Sequence, residues 1–187
     1  MAQNLWGRLM QSEIFDSAIK QWTAAPKYSK HVFRYPVLAT VSQAGYPEMR
    51  TVVLRAFDPK TMQFTIFTDS RSNKIKSLNN NPHAQLCFYD KRKFWQLLVQ
   101  VELKQLSSQH EDFKQISGAA TKDYTSLLAP GTPIGNPNEL AYSDQENYFT
   151  KVVLQAQSIE SLKLKRPNHV RVRFEKKSAW AGTYLSP

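Results

Sequence analysis

Arg50-Thr51-Val52-Val53-Leu54-Arg55 and, after a turn, Phe64-Thr65-Ile66-Phe67-Thr68-Asp69-Ser70-Arg71-Ser72-Asn73-Lys74 decide how this chain reads. Each stretch is a strand-like run that delivers cations and hydroxyls near its ends, and the second runs directly into a helix start at Ser72. Positive charge, hydroxyl donors and free backbone N–H groups converging on one anion are what a phosphorylated, planar cofactor needs. Arg50 and Arg55, flanking an apolar strand core, also fit the plainer role of solvated strand-end cations. Lys74 carries more information. The helix dipole disfavours a cation in the first turn, so a lysine there fits an anion bound between it and the helix end.

Working outward, Asn4 to Trp22 places Leu5, Trp6, Leu9, Met10, Phe15, Ile19 and Trp22 at roughly helical spacing, predicting an amphipathic helix that Ala25-Pro26 ends. Strand patterns follow at Val37 to Val41, Met49 to Phe57 and Gln63 to Thr68, separated by the turns at Ser42 to Pro47 and Asp58 to Lys60. A helix from Ser72, with Ile75 and Leu78 inward, stops at Asn79-Asn80-Asn81-Pro82. Ala84 to Tyr89 and Phe94 to Leu106 read as two more strands about the basic turn Asp90-Lys91-Arg92-Lys93. Ser107 to Ser117 reads as helix, Ala129 to Pro137 as loop, and Lys151 to Gln157, His169 to Phe174 and Ala179 to Leu185 as strands. Closely spaced strands with tight turns and one short helix predict a mainly β, α+β fold: an antiparallel barrel with peripheral helices. The division is a single domain over 1–187, with an N-terminal helix at 4–22, a barrel core at 36–106, a loop-rich insert at 118–148 and C-terminal strands at 151–187.

The chain has 187 residues and a net charge of +10, from 25 Lys+Arg against 15 Asp+Glu. That balance predicts affinity for nucleic acid, an acidic membrane or a phosphorylated small molecule. Lys91-Arg92-Lys93 beside Phe94 and Trp95 is the segment a nucleic acid would use. Stacking on bases needs exposed aromatics, and Phe94 and Trp95 fall in a strand expected to face the core or a dimer partner, so a solvated hairpin is the favoured reading and nucleic acid is not an expected partner. Nor is a membrane: no apolar run approaches the roughly 20 residues a span needs, and the N-terminal helix mixes both charge signs. Arg8, Glu13 and Asp16 are wrong for a signal peptide, so a cytoplasmic location is the expectation. The single cysteine, Cys87, excludes an intrachain disulfide and reads as a small buried hydrophobe. His31, His83 and His110 have no partners at metal-ligand spacing, so no metal is expected.

The order Leu-Ala-Thr-Val, a turn with Gly and Pro, Arg-Thr-Val-Val-Leu-Arg, Phe-Thr-Asp-Ser-Arg-Ser-Asn-Lys, helix, Asn-Asn-Pro, apolar strand and Trp-Gln resembles the pyridoxamine 5′-phosphate oxidase family, and more closely its divergent FMN-binding branch. The likeness covers Val37 to Leu106 and resumes at Arg166 to Phe174 and at Trp180 through Leu185-Ser186-Pro187. It implies a split barrel with FMN held in the interface of a homodimer. Arg50 and Lys74 would contact the phosphate, with Ser72 and Asn73 at the helix start. Thr51, Val52, Val53 and Leu54 would lie along the flavin, Phe67 and Thr68 along the ribityl-phosphate arm, and Gln96 and Arg173 at the ring. The family's flavin takes a hydride and passes electrons to oxygen, so no side-chain nucleophile is required and no catalytic residue is assigned.

The chain also departs from that pattern. Asn73 stands where the family usually has a cation, with Arg71 just upstream, and Arg55 replaces a lysine that serves cofactor and substrate. His169-Val170-Arg171 reverses the family's Arg-then-His order, leaving Arg55, His169 and Arg171 as candidate contacts for a phosphorylated small-molecule substrate. The family's middle substrate segment has no counterpart, since 123–147 contains no Arg. Two functions follow: an FMN-dependent oxidoreductase acting on pyridoxamine or pyridoxine 5′-phosphate, or an FMN-binding carrier or sensor without that turnover. Another flavin or a deazaflavin is the alternative cofactor, with the Arg50/Lys74 pair favouring FMN.

Overall fold

The computed structural model describes residues 2–114, 116 and 118–187; the side chains of 2–9, 110 and 119 lie outside that description, and with them the inward roles expected of Leu5, Trp6 and Leu9. The elements in order are α1 (Ala2–Ala24), β1 (Val37–Val41), β2 (Pro47–Thr51), β3 (Leu54–Asp58), β4 (Gln63–Asp69), α2 (Asn73–Asn80), β5 (His83–Asp90), β6 (Trp95–Ser107), α3 (His110–Lys114), β7 (Phe149–Lys163), β8 (Val170–Glu175) and β9 (Gly182–Leu185).

All strand pairs are antiparallel, in the order β2-β1-β5-β6-β7-β4-β3, with β8 beside β7 and β9 beside β8. The two outermost strands of that path, β2 and β3, are consecutive in sequence. Only Val52 and Val53 join them, so the sheet curls until its edges meet at this dipeptide without pairing there. This is the split of a split barrel. The single strand expected from Met49 to Phe57 is therefore two strands serving opposite edges of the sheet. The Val52 N–H turns aside to donate to the Pro36 carbonyl at 2.9 Å, and Pro47 is tolerated because β2 is an edge.

Other boundaries differ from expectation for non-local reasons. β7 runs for 15 residues, well past Gln157, because β6 flanks one edge from Lys151 to Lys163 while β4 and β8 share the other. Segment 36–106 thus supplies the strands up to β6, and β7 links them to β4. Ser107 belongs to β6, and the helix expected over 107–117 is confined to α3, with 115 and 117 outside the described residues. Ala179 and Trp180 have positive φ (51° and 62°) and form a turn, so the last strand starts only at Gly182.

Inside the barrel, Trp22 of α1 is fully buried and packs against Phe57, Phe64 and Phe88, with ring centroids 5.1–5.6 Å apart. Phe33 extends the cluster to Phe88 and Trp95. Burying each such side chain contributes about 1.5–3 kcal/mol, which anchors α1 on the sheet. Ala18 and Trp22 are buried in α1 and Ile14, Phe15 and Ile19 are partly so, whereas Met10 is 48% exposed. Ile75 and Leu78 of α2 point inward as expected.

Candidate functional site

The site begins with register. Arg50 pairs with Leu38 across β1 and β2, so its side chain rises on the core-facing side of the sheet. There its guanidinium donates to Thr40 Oγ1 at 2.7 Å and to Glu48 Oε2 at 3.0 Å. α2 packs on the same strand pair, and the Ser77 hydroxyl reaches the same Glu48 oxygen at 3.5 Å. Lys74, in the first turn of α2, donates to Thr68 Oγ1 at 2.8 Å, and Thr68 Oγ1 lies 3.4 Å from Ser72 Oγ. Burial and the neighbouring Arg50 charge hold the Lys74 amine below the usual lysine range, with Asp69 opposing them. The fold therefore brings Arg50 and Lys74 within electrostatic reach of one another, at a cost that a bound anion would offset.

The start of α2 is open. Ser72 is its N-cap residue, yet its side chain makes no capping bond. Ile75 and Lys76 donate to the Ser72 carbonyl, while among the described residues no acceptor meets the N–H of Asn73 or Lys74. Two orphan amides, two buried hydroxyls and a half-buried ammonium thus cluster at one helix start, the donor set a phosphate dianion takes. The residues present fit the phosphate end of FMN. Asn73, exposed at the first helical position, adds its backbone N–H in place of a third cation.

Arg71 does not supply that cation. Its guanidinium grips Asp69 through Nε (3.1 Å) and Nη2 (2.7 Å), donates to the Ser126 carbonyl at 2.8 Å and the Leu127 carbonyl at 3.2 Å, and stacks 3.3 Å from the Tyr148 ring centre. It fastens the insert to the end of β4. Arg55 lies at the bulge where β3 shifts register and sits 5.5 Å over the Phe67 ring, whose edge meets Phe149. Its Nε is buried without a partner among the described residues, and it lies close enough to the buried Tyr124 that its charge opposes the upward push of burial on the Tyr124 hydroxyl. The insert therefore returns Tyr124 and Tyr148 to the barrel beside the cation-bearing strands.

Of the segment expected along a flavin, Val52 and Leu54 bury their side chains in the core, Val53 is half-buried and Thr51 is exposed. What Val52 and Leu54 could present there is backbone.

The remaining candidates are elsewhere. Thr51, Val37, Cys87, Leu98, Glu160 and Arg173 form one row across the sheet, and Tyr89, Gln96, Leu162 and Arg171 the next. Both rows point away from the core, opposite to Arg50. Cys87 is accordingly half-buried on this outer face, not a core residue. Arg171 and Arg173 converge on Glu160 at 2.7 and 2.9 Å. Burial pushes the Glu160 carboxyl up, but the hydrogen bonds from Arg173 and Arg171 outweigh it and leave the group below its ordinary value. His169 precedes β8 and accepts from the Lys165 N–H at 3.2 Å. One chain thus places Gln96, Arg171 and Arg173 on the other side of the sheet from the phosphate cradle. Of the other histidines, His31 caps a short 3-10 turn by accepting from the Phe33 N–H, and burial lowers its pKa. Of the two aromatics expected to face inward from the basic turn, only Trp95 is buried; Phe94 has a positive φ of 48°, belongs to the turn before β6 and is 56% exposed.

Thr40, Glu48, Ser77, Tyr124 and Glu160 escaped the sequence reading. Each meets its partner through strand register, helix docking or the path of the insert, and none has a local signature.

A split barrel with an open anion cradle at the start of its short helix defines a class of nucleotide-cofactor proteins. The chain belongs to the family described as pyridoxamine 5′-phosphate oxidase, FMN-binding domain, whose model matches residues 11–106. It is 30% identical over 94 residues to a pyridoxine/pyridoxamine 5′-phosphate oxidase of Legionella pneumophila, covering 50% of this chain and 43% of that protein. Pyridoxine/pyridoxamine 5′-phosphate oxidase 2 of Arabidopsis thaliana is 32% identical over 78 residues, covering 42% and 39%. The match spans less than half the length of these curated relatives. Among solved structures, a pyridoxamine 5′-phosphate oxidase-related, FMN-binding protein of Nostoc punctiforme superposes with a TM-score of 0.73 at 25% identity, covering 91% of this chain and 96% of that one. PhzG of Burkholderia lata, solved with tetrahydrophenazine-1-carboxylic acid, shares the fold with a TM-score of 0.74 at 17% identity and 91% coverage of both chains. Among the described residues no helix is long and apolar enough to cross a membrane.

Proposed function

We propose that this chain is an FMN-dependent oxidoreductase acting as a homodimer on a small phosphorylated substrate such as pyridoxamine or pyridoxine 5′-phosphate. The carrying observation is the uncapped start of α2, where the Asn73 and Lys74 amides and the Lys74 ammonium stand beside Arg50. Arg50, Lys74, Thr68 and Ser72 would hold the phosphate, and the backbone of 51–54 would meet the polar edge of the ring. Bound FMN would supply the hydride acceptor; the protein supplies position and polarity. The Arg55 guanidinium, held over Phe67 with its Nε unpartnered, is placed to orient an anionic or carbonyl group near the ring.

The dimer rests on the outer face. Met49 is 73% exposed and Tyr89 48%, and they share that face with Val37, Ala39, Cys87, Leu98 and Leu162. Pairing two such faces would bury this apolar surface and bring one chain's Gln96 and Arg173 toward the cofactor of the other. Loss of the dimer in a Leu98→Lys variant, followed by light scattering, tests it.

One observation favours a flavin carrier or sensor instead. Glu160 occupies both Arg171 and Arg173, the cations that would otherwise meet substrate and ring. Purified holo-protein given pyridoxamine 5′-phosphate decides between the two readings: peroxide and aldehyde formation supports the oxidase, and flavin bands with no turnover support the carrier.

A further inference from the structure

A second site lies on the core side of the sheet, under α1. Met10, Glu13, Ile14, Ser17, Lys20 and Gln21 form a stripe of that helix and wall a groove of about 500 Å³. Trp95, Ser161 and Val170 make the floor, and Lys93, Lys163 and Lys165 rise from the turns and strand ends around it. None of these residues belongs to the cradle around Arg50 and Lys74.

The groove has three properties of a binding site. Its volume lies in the range of small-molecule pockets. Its rim carries four lysines against one carboxylate, Glu13. Lys93 has a long contact to Asp90 at 4.0 Å, and among the described residues Lys20, Lys163 and Lys165 have no acidic partner. Its floor holds an incomplete hydrogen bond. Ser161, 2% exposed, accepts from the Trp95 indole N–H at 2.8 Å, but no described acceptor meets its own hydroxyl proton. A buried hydroxyl that has an acceptor role filled and a proton to give points to a missing oxygen.

We infer that this groove binds a small organic acid with an apolar body. The body lies along Met10, Ile14 and Val170 over the Trp95 ring, one of its oxygens accepts from Ser161, and the acid group sits among Lys20, Lys93, Lys163 and Lys165. Apolar burial supplies most of the affinity. The lysines select the charge, because a cationic or neutral body of the same shape gains nothing from the rim.

The test uses 8-anilinonaphthalene-1-sulfonate as the anionic probe and N-phenyl-1-naphthylamine as its neutral counterpart, titrated by fluorescence into the full chain. The expected result is one anionic site per chain, with the neutral probe bound more weakly. Lys163→Glu/Lys165→Glu should weaken the anionic probe on the order of tenfold through lost attraction and added repulsion, leaving the neutral probe unmoved. Ile14→Trp, which fills the groove, should abolish both, with thermal unfolding checked in each variant. Equal affinity for the two probes, or anionic binding unchanged by the charge reversal, overturns the inference; the surface variant keeps the test decisive if Ile14→Trp misfolds.

Discussion

Replacing Lys74 by Met separates a cofactor residue from a structural one. The side chain keeps its length and loses its charge. In the folded protein the ammonium makes one hydrogen bond, to Thr68, and is held half-buried beside Arg50, which already depresses its pKa. Removing it relieves a desolvation and repulsion cost, so the apo-protein of Lys74→Met should unfold at the same temperature as the parent or higher. FMN should bind worse. A charge-assisted contact to phosphate contributes about 1.5–3 kcal/mol, so the dissociation constant should rise roughly tenfold to a hundredfold. Flavin fluorescence quenching on titration into apo-protein measures this, and the gap should narrow in high salt. The pH dependence follows from the sign of the shift. A lysine with a lowered folded pKa loses its proton at lower pH than a free one, so parent affinity should decline as alkaline pH passes through that lowered value, while Lys74→Met stays flat. The folded state, relieved of a buried charge, should gain stability over the same window. Equal FMN affinity in the two proteins, together with a less stable variant, would refute the phosphate cradle.

Arg71→Lys keeps the charge but loses the fork on Asp69 and the carbonyl bonds at 126–128; a cost of about 2–3 kcal/mol and faster proteolysis within 118–148 are expected. Glu160→Gln should cost about 1–2 kcal/mol at neutral pH, a figure kept low because Arg171 and Arg173 are partly exposed. Since the Glu160 pKa is depressed, its contribution is present above the ordinary glutamate value and lost as pH falls through the folded one, so acid unfolding of the parent and variant should converge. Trp22 buries an indole N–H with no described acceptor. Trp22→Phe should therefore cost less than about 3 kcal/mol in chemical denaturation, below a full aromatic truncation, because the cavity it leaves is partly offset by removing an unsatisfied donor.

Local chemistry carried the strands and the helix start. Alternation at 37–41 and 63–68, the turn residues at 42–47 and 58–60, and Ser72 before Asn73-Lys74 each act over a few residues, where side-chain period and backbone preference suffice. Hence Arg50 and Lys74 could be singled out as candidates and the barrel expected, while only the family resemblance places Thr68 and Ser72 near the phosphate. What the tertiary structure alone decided is pairing. That 49–57 breaks at Val52-Val53 to serve both sheet edges, that Glu160 gathers two arginines from β8, and that Arg71 turns to the Ser126 carbonyl 55 residues away all depend on partners outside the local sequence, as does the pairing of β4 with β7, where Gln63 meets Gln155 across 92 residues. Alternation says which residues share a face but not which strand lies opposite, because register is settled by the burial of the whole sheet at once.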